Sequence, residues 1–140
     1  MAFTGNFTCD VFKTGLMTGS FNLLSPSTFY MALYTNNATL NASTTAYSST
    51  GESSGGSYSA GGQLLSGAAV AISNNVAYLT FNNPSWTGSI TARGALIYKS
   101  GANGAICVLD FGNDKTSTSG GTFIVQFPTA SSTSAIIRLT

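Results

Sequence analysis

Histidine is absent from this chain, and charge is nearly so: 140 residues carry five Lys or Arg and four Asp or Glu. Without histidine there is no Ser-His-Asp or Cys-His nucleophile system, and the commonest metal ligand is gone. Charged residues make up 6%, against roughly 25% in ordinary soluble domains. The surface therefore has to be built from hydroxyls and amides, and 20 Ser and 19 Thr supply them. Such a surface repels its neighbours little and tolerates dense packing beside other proteins. The cations Lys13, Arg93, Lys99, Lys115 and Arg138 are scattered and the net charge is +1, which argues against the basic face that nucleic-acid binding needs. No apolar run approaches the roughly 20 residues of a membrane span. The opening MAFTGNFTCD shows no basic segment followed by an apolar core, so a cytoplasmic product without a membrane partner is expected. Cysteine occurs twice, as Cys9 and Cys107 in apolar surroundings, and buried free thiols are expected rather than a disulfide.

What the chain does have is the pattern of an all-β protein. The strongest local signal is Ile90 to Gly112, where two apolar, β-branched runs (Ile90 to Lys99 and Ala105 to Phe111) flank a short Gly-containing segment, the form of a β-hairpin. Continuous runs such as Leu96-Ile97-Tyr98 and Ile106-Cys107-Val108-Leu109 predict central strands covered on both faces. Further strands are expected at Thr28 to Thr35, Val76 to Phe81, Thr122 to Phe127 and Ala135 to Leu139, with turns at Ser25-Pro26-Ser27, at Asn74-Asn75 and around Trp86. Seven or eight short strands in one domain, 1–140, indicate a β-sandwich of jelly-roll-like kind. Residues 1–24 are expected to form a short helix over 6–18, started by Thr8 or Asp10 and ended near Gly15 and Gly19, or else an extended arm. The polar stretch 36–62 is long for a structureless loop. It either hides edge strands around Tyr47 and Tyr58 or orders on contact with a partner, and it and the N-terminal segment are the places where intersubunit contacts are expected.

Catalytic candidates are few. Asp110 and Asp114 bracket a Gly-Asn pair and are formally a glycosidase couple or oxygen ligands for calcium. Pairing of Asp110 with Arg93 or Lys99, with Asp114 shaping a turn, is the simpler reading. The Gly-Gly clusters lack the strand, loop and helix context of a phosphate cradle. No catalytic residue, cofactor or metal is expected. Arg93 and Asp110 adjoin the apolar hairpin, where an unpaired charge is costly, so they pair with each other or across a subunit boundary. With Phe12, Tyr47, Tyr58 and Trp86 they are the candidate interface residues. Trp86 is read first as a lid over one end of the core.

The segments FKTGLMTGSF, TFYMALYTNNATLNASTTAY, YSAGG, ITARGALIYKSGANGAICVLDFGNDKTSTSGG, FIVQFPT and AIIRL together cover nearly the whole chain. On them the sequence resembles the small virion structural proteins of tailed bacteriophages. The resemblance implies a non-enzymatic β-sandwich in the particle, made in the host cytoplasm, with a capsid cement or decoration protein as the best fit. Its partners would be the major capsid protein and itself, a homodimer being preferred over a trimer because two-fold closure is the commonest solution. The alternative is a tail-surface or receptor-binding module using Tyr47, Tyr58 and Trp86 against a host glycan or protein.

Overall fold

The computed structural model describes residues 3–24 and 28–140, so the Ser25-Pro26-Ser27 turn lies outside the described residues. In chain order the elements are β1 (Phe7–Thr8), α1 (Asp10–Thr18), β2 (Phe29–Tyr34), β3 (Gln63–Leu64), β4 (Ala69–Ser73), β5 (Val76–Thr80), β6 (Ser85–Thr87), β7 (Thr91–Lys99), β8 (Ala105–Thr116), β9 (Thr122–Ile124) and β10 (Ile137–Leu139). All strand pairs are antiparallel. They form a five-stranded sheet ordered β1-β8-β7-β2-β3, a three-stranded sheet ordered β10-β5-β4 and a β6-β9 ribbon. The fold is all-β and sandwich-like with a short N-terminal helix. The strands divide five, three and two, where a jelly roll divides eight between two sheets.

The β7–β8 hairpin stands at the centre because its residues can be nowhere else. From Ala92 to Tyr98 every residue of β7 is buried, and β7 is flanked by β8 on one side and β2 on the other. Met31 and Leu33 of β2, Leu96 and Ile97 of β7, and Ile106 and Val108 of β8 are inaccessible. Burying each such side chain stabilises the fold by roughly 1.5–3 kcal/mol. Gly94 is required in mid-strand, because a Cβ there would run into the Leu109 carbonyl and the Phe3 ring.

The helix forms over Asp10–Thr18, starting later than the sequence suggested. Phe7 belongs to β1, and Cys9 is the N-cap with no side-chain cap bond, so neither Thr8 nor Asp10 caps the helix. Asp10 lies instead in the first turn, where a carboxylate suits the helix dipole. Gly19 ends the helix in the left-handed region (φ 79°), its N–H donating to Gly15 and Leu16 carbonyls, as a glycine C-terminus does. Gly15 lies inside the helix and gives the Phe21 ring its seat. Met17 is exposed.

Three further expectations are corrected. Within 36–62 no regular strand forms among the described residues, only an isolated bridge between Tyr34 and Glu52. The stretch is nevertheless packed on its own chain, with Ala38, Leu40 and Ser53 buried. Trp86 lies in β6 rather than in a turn, and β8 runs five residues beyond Phe111, through Thr116. Its polar end pairs Lys115 with Ala92 and Thr116 with Thr91, after a bulge that shifts register between Ala92 and Gly94. A solvent-facing strand of this kind has no apolar alternation to announce it.

Candidate functional site

Glu52 is the hub of the polar loop. Its carboxylate accepts from Tyr47 Oη–H at 2.7 Å, from Tyr58 Oη–H at 2.5 Å and from the Gly61 N–H at 2.7 Å. The Tyr58 oxygen in turn accepts from the Leu33 N–H at 2.9 Å. Tyr34 donates to the Ser48 carbonyl and Tyr98 to the Gly61 carbonyl. Backbone bonds from Thr35 to Gly51 and from Ser53 to Leu33 lay the Glu52 segment along the outer edge of β2. The rings of Tyr30, Tyr98 and Tyr47 stack in sequence, with centroids 5.6 and 5.0 Å apart. Burial first, then the hydrogen bond to Glu52, pushes the Tyr47 phenol up to about 12 and the Tyr58 phenol higher still. Burial raises Tyr98 to about 12 and also raises Tyr34. These phenols stay neutral at ordinary pH and act as donors that pin the loop to β2 and β7.

Arg93 and Asp110 meet inside one chain. Arg93 Nε lies 3.1 Å from Asp110 Oδ1, with side chains 9% and 12% exposed. Gly112 N–H also donates to Asp110 Oδ1 at 2.8 Å, and the Asp110 N–H donates to Asn6 Oδ1 at 2.7 Å. Partial burial alone pushes the carboxyl up. The Gly112 N–H and the Arg93 guanidinium outweigh it and hold Asp110 below its ordinary value. Asp114, on the exposed end of β8, has no part in this pair.

The remaining candidates sit in the core or half inside it. Phe12 is 1% exposed and makes an edge contact with Phe21 at 5.0 Å, so it offers no surface. Trp86 is buried between Tyr58 and Phe123, and Tyr47 and Tyr58 are half-buried with both hydroxyls engaged by Glu52. Loop aromatics directed inward leave little platform for a sugar ring. Cys9 and Cys107 are both free and buried; burial raises Cys9 to about 11 and raises Cys107 further, so neither thiol is an activated nucleophile.

Two surface features escaped the sequence reading. A cleft of about 400 Å³ lies between the end of β8 and β9, lined by Phe111, Lys115, Phe123 and Ile124 among others. It has room for an apolar side chain and holds one cation and no carboxylate. The β10-β5-β4 sheet is the second feature. Its register sets Val70, Ile72, Ala77, Leu79, Ile137 and Leu139 on one face. Leu79 and Ile137 are buried, whereas Val70, Ile72 and Leu139 stand 47%, 74% and 53% exposed. The strand expected at Val76 to Phe81 carries no sign that its partner β4 is exposed along its whole length. Glu52 had one signal, as the sole carboxylate of a Tyr-bearing polar stretch.

Among the described residues no group of three or more metal-ligating side chains comes together, and no helix is long and apolar enough to cross a membrane. No family model matches the sequence, and neither a curated protein nor a solved structure matches the chain.

Proposed function

We propose that this chain is a non-enzymatic structural protein of a bacteriophage virion, specifically a capsid cement or decoration protein. It would bind the outer surface of the major capsid protein lattice and stabilise the head. One observation carries the reading beyond the resemblance of the sequence: scarce carboxylates and phenols are engaged in internal bonds, while several large apolar side chains stand exposed. Two of the four carboxylates, Glu52 and Asp110, and the phenols of Tyr34, Tyr47, Tyr58 and Tyr98 hydrogen-bond within the chain. Val70, Ile72, Ile124 and Leu139 face solvent on a surface of hydroxyls. Exposed apolar patches on a charge-poor body suit contact with another protein surface. Binding that selects the assembled lattice stabilises it by mass action.

The test is copy number per particle, by quantitative mass spectrometry of purified virions against the major capsid protein. Hundreds of copies are expected. A few to a few dozen would move the protein to the tail, and absence from the particle would overturn the reading.

A further inference from the structure

Open sheet edges are a liability that folded proteins blunt with short strands, charge or proline. Among the described residues the outer edges at β1, β3, β6, β9 and β10 are two or three residues long, β10 carries Arg138, and the length of β8 beyond its pairing with β1 is blunted by Asp110, Asp114 and Lys115. The edge at β4 is different. It runs for five residues, Ala69-Val70-Ala71-Ile72-Ser73, all exposed, with no charge, proline or glycine, and among the described residues β4 has β5 as its one neighbour.

The hairpin fixes which backbone groups are free. Asn74 and Asn75 both have positive φ, 50° and 63°, the two-residue turn that matches strand twist. Ser73 faces Val76 across it. Counting from that closing pair, hydrogen-bonded and non-hydrogen-bonded pairs alternate. Ala69, Ala71 and Ser73 therefore bond to β5, while the N–H and C=O groups of Val70 and Ile72 point outward.

We infer that two copies of this chain pair antiparallel through their β4 edges, on a two-fold axis at Ala71. In that register Val70 meets Ile72 of the other copy and Ile72 meets its Val70. Both are hydrogen-bonded pairs, which gives four backbone bonds. The free groups of β4 are thus complementary to β4 itself, the condition for an isologous interface. No charged residue occurs from Ser53 to Ala92, so nothing repels an identical strand and nothing attracts a partner of opposite charge. The two sheets become one of six strands, and the exposed apolar stripes join where Val70 and Ile72 face each other, a β-branched cross-strand pair. The inference rests on the sheet edge alone and holds whether or not the protein belongs to a virion.

Sedimentation equilibrium of the full chain over a wide concentration range should show a monomer–dimer equilibrium. Val70→Lys places a charge at each of the two outward pairs, and Ile72→Pro removes an outward N–H. Each should weaken dimerisation at least tenfold. On the unsubstituted protein, hydrogen exchange at Val70 and Ile72 should slow as concentration rises, while Ala71 stays unchanged. A chain monomeric at every concentration overturns the proposal. So does a dimer that survives Val70→Lys in a folded protein, exchange at Val70 and Ile72 that ignores concentration, or open-ended growth beyond two copies.

Discussion

Asp110 is where a single proton reaches the whole fold. Its carboxyl is held below the ordinary value of 3.8 by Gly112 and Arg93 against the opposing effect of burial. A depressed folded-state value means that stability from this group is complete above about pH 4 and is lost as pH falls through the folded value. Asp110→Asn should flatten the acid limb of a stability–pH curve. Asp110→Ala strands a guanidinium that is 9% exposed and should cost about 3 kcal/mol, the lower end of the range for breaking a buried pair, read from urea midpoints. Replacing both partners with apolar residues should recover much of that loss. The phenols around Glu52 act in the alkaline range. Because Tyr47 and Tyr98 lie near 12 and Tyr34 and Tyr58 are also raised, stability is complete below about pH 10 and declines as pH rises toward 12. Glu52→Gln removes the charge that helps keep Tyr47 neutral. Absorbance titration should then find Tyr47 ionising at lower pH, with a stability loss of roughly 1.5–3 kcal/mol for a hydrogen bond to a charged group.

At the scale of elements, the approach of β3 to β2 depends on one glycine. Gly62 has φ 79°, and a Cβ there would collide with the Met31 carbonyl. Gly62→Ala should lose more than about 2 kcal/mol, the left-handed cost plus the displacement of β2, in a thermal melt. Gly101→Ala, at φ 106° with open space around it, should lose less. The elements legible in the sequence were those with local causes. The β7–β8 hairpin announced itself through two apolar runs and a glycine turn, and Asn74-Asn75 through its chemistry. Strands of two or three residues such as β1 and β6, and the polar end of β8, take their conformation from neighbours remote in sequence. The Arg93–Asp110 pair was anticipated because charges beside an apolar run need partners. The Glu52 hub was not, since its donors come from Tyr47, Tyr58 and Gly61, brought together by turns with no periodicity to read.

For the whole molecule, the polar stretch 36–62 belongs to the body. Its backbone bonds reach Asp10, β2, β6 and Ala105 through Ala42, Gly51, Ser53, Ser57 and Thr45. Limited proteolysis of the isolated protein should therefore spare 36–62 and cut first at the exposed Asn74-Asn75 tip. Early cleavage within 36–62 would show that the loop requires a partner to order. A loop already ordered on its own chain needs no neighbouring subunit to fold, and β4 adds exposed apolar side chains, Val70 and Ile72, as a second place for such contacts.

The strand order β1-β8-β7-β2-β3 also sets a timetable for the newborn chain. β1 pairs with β8, about a hundred residues later, and β2 waits for β7. On a ribosome the first two-thirds of the polypeptide can complete little more than the β2–β3 and β4–β5 contacts before residues 91–116 emerge. Once they do, the central hairpin closes locally and serves as the template on which both earlier strands dock. Such distant pairings place refolding in the millisecond-to-second range typical of non-local β topologies. Until then the apolar β2 segment, whose residues are buried or half-buried in the folded chain, lacks the strand that covers it.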